Sequence, residues 1–155
     1  MNIQLHQASL KEVTLLLPFV SAYHEFEQLE STQIERESAV RKLIMNPEFG
    51  GIWLIYCDNT IAGYIAICRG YSIEFNGFDA FVDEFYLSTE FRGKGVGTQV
   101  LEAIRKEAKN LEINALHLEV ARSNVAAKKF YEKAGFKARE KYLLMSAELD
   151  VGAKL

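Results

Sequence analysis

Residues 81–110 pass from an apolar stretch, FVDEFYLS, through FRGKGVGT into an amphipathic stretch that includes QVLEAIRKEAK. Three glycines and two cations thus stand where the hydrophobic period changes from strand-like to helical. Glycines remove Cβ atoms, so main-chain N–H groups can turn outward and approach a ligand. At the start of a helix those donors have no partner, and the helix dipole favours an anion. Successive outward amides form a concave nest suited to phosphate. Arg92 and Lys94 add mobile positive charge at its rim.

The remaining pattern places this junction inside a mixed α/β domain. NIQLHQA alternates like a short strand, and Ser9-Leu10-Lys11-Glu12 fits a capping box opening a helix that runs towards Phe26. Pro18 should kink or split that helix. TQIERESAVRKLIMN is helical by spacing, with Ile34, Ala39, Leu43 and Ile44 as its inner face and Asn46-Pro47 as its end. GIWLIYC, a turn at Asp58-Asn59, and IAGYIAICRG read as a hairpin. Asn76-Gly77 turns the chain into FDAFVDEFYLS. After the glycines, Val96, Val100, Leu101, Ile104, Ala108 and Leu111 recur at helical spacing. ALHLEVA is a short strand, and Ser123 or Asn124 caps a helix that Gly135 closes. AREKYLLMSAEL supplies one or two last strands.

A chain of 155 residues can bury one full core, and no linker or repeat divides it, so residues 1–155 are expected to form a single domain. No apolar run is long enough to span a bilayer, and the start lacks the features of a signal peptide. A cytoplasmic location is the default expectation. Cys57 and Cys68 follow no metal spacing and read as buried, reduced thiols. His6, His24 and His117 are isolated in sequence, and no metal is expected at any of them. Charge is divided unevenly. Residues 1–90 carry 5 Lys/Arg against 13 Asp/Glu, a net −8, whereas residues 91–155 carry 13 against 8, a net +5. Solvated helix faces would explain this, and so would an anionic ligand on the second half with a cationic one on the first.

The glycine spacing is neither a Walker loop nor a dinucleotide fingerprint. On residue types alone, a softened strand-to-helix turn with exposed cations stays open beside a pyrophosphate site. Arg92-Gly93-Lys94-Gly95-Val96-Gly97 resembles the Arg/Gln-x-x-Gly-x-Gly/Ala signature of the GNAT N-acetyltransferase superfamily. A second block, NVAAKKFYEKAGF at residues 124–136, resembles that family's Asn-x-x-Ala-x-x-x-Tyr-x-x-x-Gly-Phe segment. The likeness covers roughly residues 50–145. It implies a mostly antiparallel central sheet with splayed parallel strands, flanked by about four helices. It also implies acetyl-CoA as cosubstrate, with the pyrophosphate held by Arg92, Gly93, Lys94, Gly95, Val96, Gly97 and Thr98.

The resemblance further implies direct attack of an amine on the thioester in a ternary complex. Leu87 matches the position whose backbone N–H stabilises the oxyanion, with Phe85 and Tyr86 beside it on the strand that pairs with the pantetheine arm. Tyr131 matches the proton donor to the leaving thiolate. Asn124 would bond the pantetheine amide, and Lys128, Lys129 and Lys133 could meet the 3′-phosphate. The family shares no fixed base. Glu84 and Asp83 lie on the strand feeding the loop; consecutive strand residues face opposite ways, so both cannot point into one cleft, and Glu119 is a third choice.

An acyl-CoA-binding module without catalysis is the alternative reading on the same fold. A nucleic-acid-binding domain is opposed by net acidity and by the lack of a basic stripe. Glu25, Glu27, Glu30, Glu35 and Glu37 would form an acidic wall suited to a polyamine, an aminoglycoside or a lysine-bearing peptide, unless they face solvent. Strand edges in such folds often pair into homodimers.

Overall fold

A first strand, β1 (Ile3–Gln7), leads to Ser9, whose hydroxyl accepts from Lys11 N and donates to Glu12. One 3₁₀ turn later the chain enters α1 (Val13–Phe26). Of the two outcomes expected at Pro18, the split does not occur: α1 runs through it as one helix. A proline removes one N–H donor, and burial of Val13, Leu16 and Val20 along one face outweighs that loss. Thr32 then opens α2 (Gln33–Met45) through a reciprocal capping box with Glu35. The inner face of α2 differs from expectation: Val40 is buried with Leu43 and Ile44 beside it, while Ile34 and Ala39 are exposed. The stripe therefore begins later in the helix, because the turn carrying Ile34 extends beyond the edge of the core.

The sheet follows, with β2 (Gly50–Cys57), β3 (Thr60–Ser72) and β4 (Gly77–Leu87) joined by turns at Asp58-Asn59 and Asn76-Gly77, all four at positive φ. A 3₁₀ turn at Thr89–Phe91 and the glycine segment lead to α3 (Val96–Asn110), then to β5 (Ile113–His117). Sheet order is β1-β2-β3-β4-β5, antiparallel throughout except for the parallel β4–β5 pair. Ile52, Leu54, Tyr64 and Ala66 pack with α1 and α2. By strand alternation Trp53, Ile55, Ile65 and Ile67 face the other side, and all four are buried. With both faces covered, β2 and β3 read as continuous apolar runs. Each fully buried side chain of Leu or Ile size contributes about 1.5–3 kcal/mol.

The structure describes residues 1–150, which form two compact units, one of Met1–Leu118 and one from Glu119 onward. In the second unit Asn124 opens α4 (Val125–Lys133), and Gly135 closes it at φ +93°. The strands expected over residues 138–149 do not form: no strand follows α4 among the described residues. Leu143, Leu144, Met145 and Leu149 are exposed there. Apolar character does not make a strand without a ladder partner, and this segment has none.

Candidate active site

The site is built where β4 leaves the sheet. β5 pairs with β4 only from Phe78 to Phe81, so β4 from Val82 to Leu87 has no strand partner on that side among the described residues. On the β3 side, Ser88 N donates to Ala62 O at 2.8 Å. Antiparallel pairs alternate between bonded and non-bonded, which makes Gly63–Leu87 and Ile65–Phe85 the non-bonded kind. The N–H and C=O groups of Phe85 and Leu87 therefore point to the open edge. The strands run close here, since a Cβ at Gly63 would lie 1.9 Å from the Tyr86 carbonyl oxygen.

Gly93 and Gly95 sit at φ +71° and +79°, and a Cβ on either would meet nothing within 4 Å. Gly95 is the N-cap of α3 and supplies no side chain to satisfy the helix amides. The main-chain N–H groups of Gly93, Lys94, Gly95, Val96, Gly97 and Thr98 have no protein acceptor among the described residues. Lys94 is exposed beside them. Arg92 behaves differently from the mobile rim cation expected. Its Nε donates to Leu87 O at 2.7 Å, and its guanidinium lies over the rings of Phe26 and Tyr86 at 5.4 and 5.3 Å.

Glu84 is half-buried, with one hydrogen-bond partner on each carboxylate oxygen. Tyr64 donates its hydroxyl to Oε1 at 2.7 Å, and His24 Nε2 lies 2.6 Å from Oε2. Burial pushes the Glu84 carboxyl above its ordinary value, against the lowering effect of Tyr64 and His24. Burial likewise raises the Tyr64 phenol, with Glu84 adding to it. β4 carries one extra residue here: Ala66 pairs with Glu84 and Ile67 with Val82, leaving Asp83 as a bulge. Strict alternation is broken, and His24 acts on the carboxyls of both Asp83 and Glu84. Asp83 keeps contact with solvent, although burial by surrounding chain raises its carboxyl too. Cys68, held at about 11 by burial and then by Asp83 and Glu84, is no nucleophile. Among the described residues no group of three or more His, Cys, Asp or Glu could hold a metal ion, and no helix is long and apolar enough to cross a membrane.

In the second unit, Asn124 Oδ1 accepts from Ala127 N at 3.1 Å and so caps α4. Tyr131 is half-buried on that helix, between Phe130 and Phe136 at ring distances of 5.0 and 5.8 Å. Glu119 is exposed, and Lys128 pairs with Glu140 at 3.1 Å.

The sequence profile of the Acetyltransferase (GNAT) family matches residues 16–136, a span containing β4, the glycine segment, α3 and α4. The chain belongs to the GNAT acetyltransferase family. Two curated relatives from Bacillus subtilis (strain 168) are named uncharacterized N-acetyltransferases. YycN is 38% identical over 71 residues, covering 46% of this chain and 44% of YycN. YobR is 30% identical over 115 residues, covering 72% of this chain and 43% of YobR. The matches thus span less than half the length of either relative. Among solved structures, a "predicted acetyltransferase with acetyl-CoA" from Clostridium acetobutylicum superposes with a TM-score of 0.74 at 20% identity, over 94% of this chain and 96% of that one. At that identity the likeness is one of fold.

Within this GNAT chain, sequence reasoning missed His24, Tyr64 and Ser31. His24 Nδ1 lies 2.9 Å from Ser31 Oγ, so the imidazole joins the α1–α2 connection to β4. Sixty residues separate His24 from Glu84 in sequence, and nothing in a single chain couples them. The expected acidic wall is thinner than the glutamate count implies. Glu35 is held in the cap of α2 and Glu37 pairs with Arg41 at 2.8 Å, leaving Glu25, Glu27 and Glu30 exposed.

Proposed function

We propose that the chain is a single N-acetyltransferase domain that moves an acetyl group from acetyl-CoA to a primary amine. The observation that carries this reading is the run of main-chain donors from Gly93 to Thr98, without protein acceptors, above two glycines whose Cβ positions are open. Such a nest at a helix start fits a diphosphate, with Lys94 adding charge at its edge. The edge of β4 at Phe85 and Leu87 offers main-chain groups to an extended amide arm, in the manner of an added strand.

In this reading the acceptor amine attacks the thioester carbonyl, a C–N bond forms, and the Leu87 N–H receives the developing oxyanion. Tyr131 gives its phenolic proton to the sulfur as the C–S bond breaks. Glu84 receives the proton that the amine must lose. Its raised carboxyl makes it a better base than a solvated glutamate. Asp83 and Glu84, with exposed Glu25, Glu27 and Glu30 on α1 and the connection after it, favour a cationic acceptor: a polyamine, an aminoglycoside or a lysine-bearing peptide.

Thiol release from acetyl-CoA in the presence of spermidine, kanamycin and a lysine-containing peptide tests the proposal. Release that depends on one of these amines supports transfer. A thermal shift with acetyl-CoA and no release with any amine would favour a binding module on the same fold.

A further inference from the structure

The hydrogen bonds around His24 run through four elements in an order that can be written out. Arg36 Nη1, on α2, donates to Ser31 O at 2.6 Å and to Ser31 Oγ at 3.0 Å. Ser31 Oγ meets His24 Nδ1 at 2.9 Å, and His24 Nε2 meets Glu84 Oε2 at 2.6 Å. Tyr64, on β3, closes the chain on Glu84 Oε1 at 2.7 Å. A proton must lie between Nε2 and Oε2, since two lone pairs at that distance would repel.

Two proton states keep both hydrogen bonds of the His24 ring. With neutral imidazole, the Ser31 hydroxyl donates to Nδ1 while accepting from Arg36. With imidazolium, Nδ1–H donates to Ser31 Oγ, and the hydroxyl proton turns elsewhere. A hydroxyl can serve both states because it is at once donor and acceptor. A carbonyl or a carboxylate in that place would fix a single state. The imidazole can thus change charge while keeping its contacts to Ser31 and Glu84.

We infer that His24 is a positioning residue whose charge sets the basicity of Glu84: the imidazolium weakens the carboxylate as a base through an ion pair, and the neutral ring, still donating Nε2–H, leaves it the stronger base. This rests on the reading of Glu84 as the group that takes the acceptor's proton. In that step an N–H bond of the ammonium breaks, an O–H bond forms on Glu84, and the amine keeps the electron pair. The lone pairs not used by Tyr64 and His24 receive the proton. The other groups facing the pair are Tyr23 on α1, Arg36 on α2, Tyr64 and Cys68 on β3, and Asp83 on β4. Arg36 stays cationic, and Tyr64 and Cys68 stay neutral through the physiological range. Asp83 is the remaining competitor for any charge change near Glu84.

The test reads proton positions directly and needs no acceptor. The side-chain carboxyl ¹³C shift of Glu84 and the ring ¹⁵N shifts of His24 are followed by NMR between pH 4.5 and 9. In the wild type the Glu84 shift should inflect at the same midpoint as the His24 ring, and in His24→Gln that inflection should vanish. An unchanged Glu84 curve in His24→Gln assigns the inflection to Asp83 or to Glu84 itself and overturns the inference. Should His24→Gln fail to fold, wild-type curves with unrelated midpoints overturn it as well. Ser31→Ala keeps the Nε2–Oε2 pair and should displace the His24 midpoint; an unmoved midpoint removes Ser31 from the device. In turnover with spermidine, the ratio of wild-type to His24→Gln kcat/KM should follow a one-proton curve, with KM for acetyl-CoA within about twofold. Absence of thiol release with every amine would sink the transfer reading and leave the NMR result standing.

Discussion

Arg92 Nε donates to the carbonyl oxygen of Leu87 across 2.7 Å, which ties the glycine segment to the last residue of β4. The cation therefore ties together the two surfaces that in the proposed reading grip the diphosphate and the amide arm of acetyl-CoA. Arg92→Ala should raise KM for acetyl-CoA and also lower kcat, by about tenfold in kcat/KM, the scale of one charge-assisted hydrogen bond. A change confined to KM, seen in steady-state kinetics, would return Arg92 to a rim cation. Lysine should rescue little, since it lacks a planar Nε donor.

Gly95→Asp should abolish acetyl-CoA binding in calorimetry while leaving a folded protein. The added Cβ meets nothing within 4 Å, so the fold pays only the positive-φ penalty at +79°, about 1–2 kcal/mol. The carboxylate would meanwhile stand where a diphosphate is to sit. Retained affinity would mean that the nest has been assigned to the wrong ligand.

Tyr131→Phe should lower kcat by about 10²-fold or more, the lower range for a general acid, with acetyl-CoA affinity within about threefold. Comparable turnover by the variant would take the acid role from Tyr131 and leave it an aromatic contact of Phe130 and Phe136.

Glu84→Gln should be less active and yet more stable at neutral pH. The folded carboxyl lies above its ordinary 4.5, so the folded state binds the proton more tightly than the unfolded chain does. That contribution is complete below pH 4.5 and is lost as pH rises through the folded value. The melting-temperature advantage of Glu84→Gln should therefore be smallest near pH 4, widen above 4.5, and then level off. A gap independent of pH in scanning calorimetry would contradict the raised carboxyl.

Much of this was legible in residue order. Asp58-Asn59 and Asn76-Gly77 announced their turns because positive φ at both positions is a local demand. The glycine-rich junction announced a helix start for the same kind of reason. What escaped depended on tertiary context. Ile34 follows the helical period but projects past the core, and Pro18 is carried by packing that no local rule contains. Residues 143–145 have the apolar character of a strand and lack the neighbour that would make one. The bulge at Asp83 overturned the assumption of regular alternation, and with it the argument that Asp83 and Glu84 must face opposite ways. His24 offered no signal, since its hydrogen-bond partners, Ser31 and Glu84, come from two other segments.

Gly63 passes so near the Tyr86 carbonyl that even a methyl group would force the strands apart. Variation at that point would splay the edge of β4 that the proposed reading gives to the thioester arm. In the proposed reading, a change of acceptor is therefore accommodated at the helices and their connection and not at Gly63.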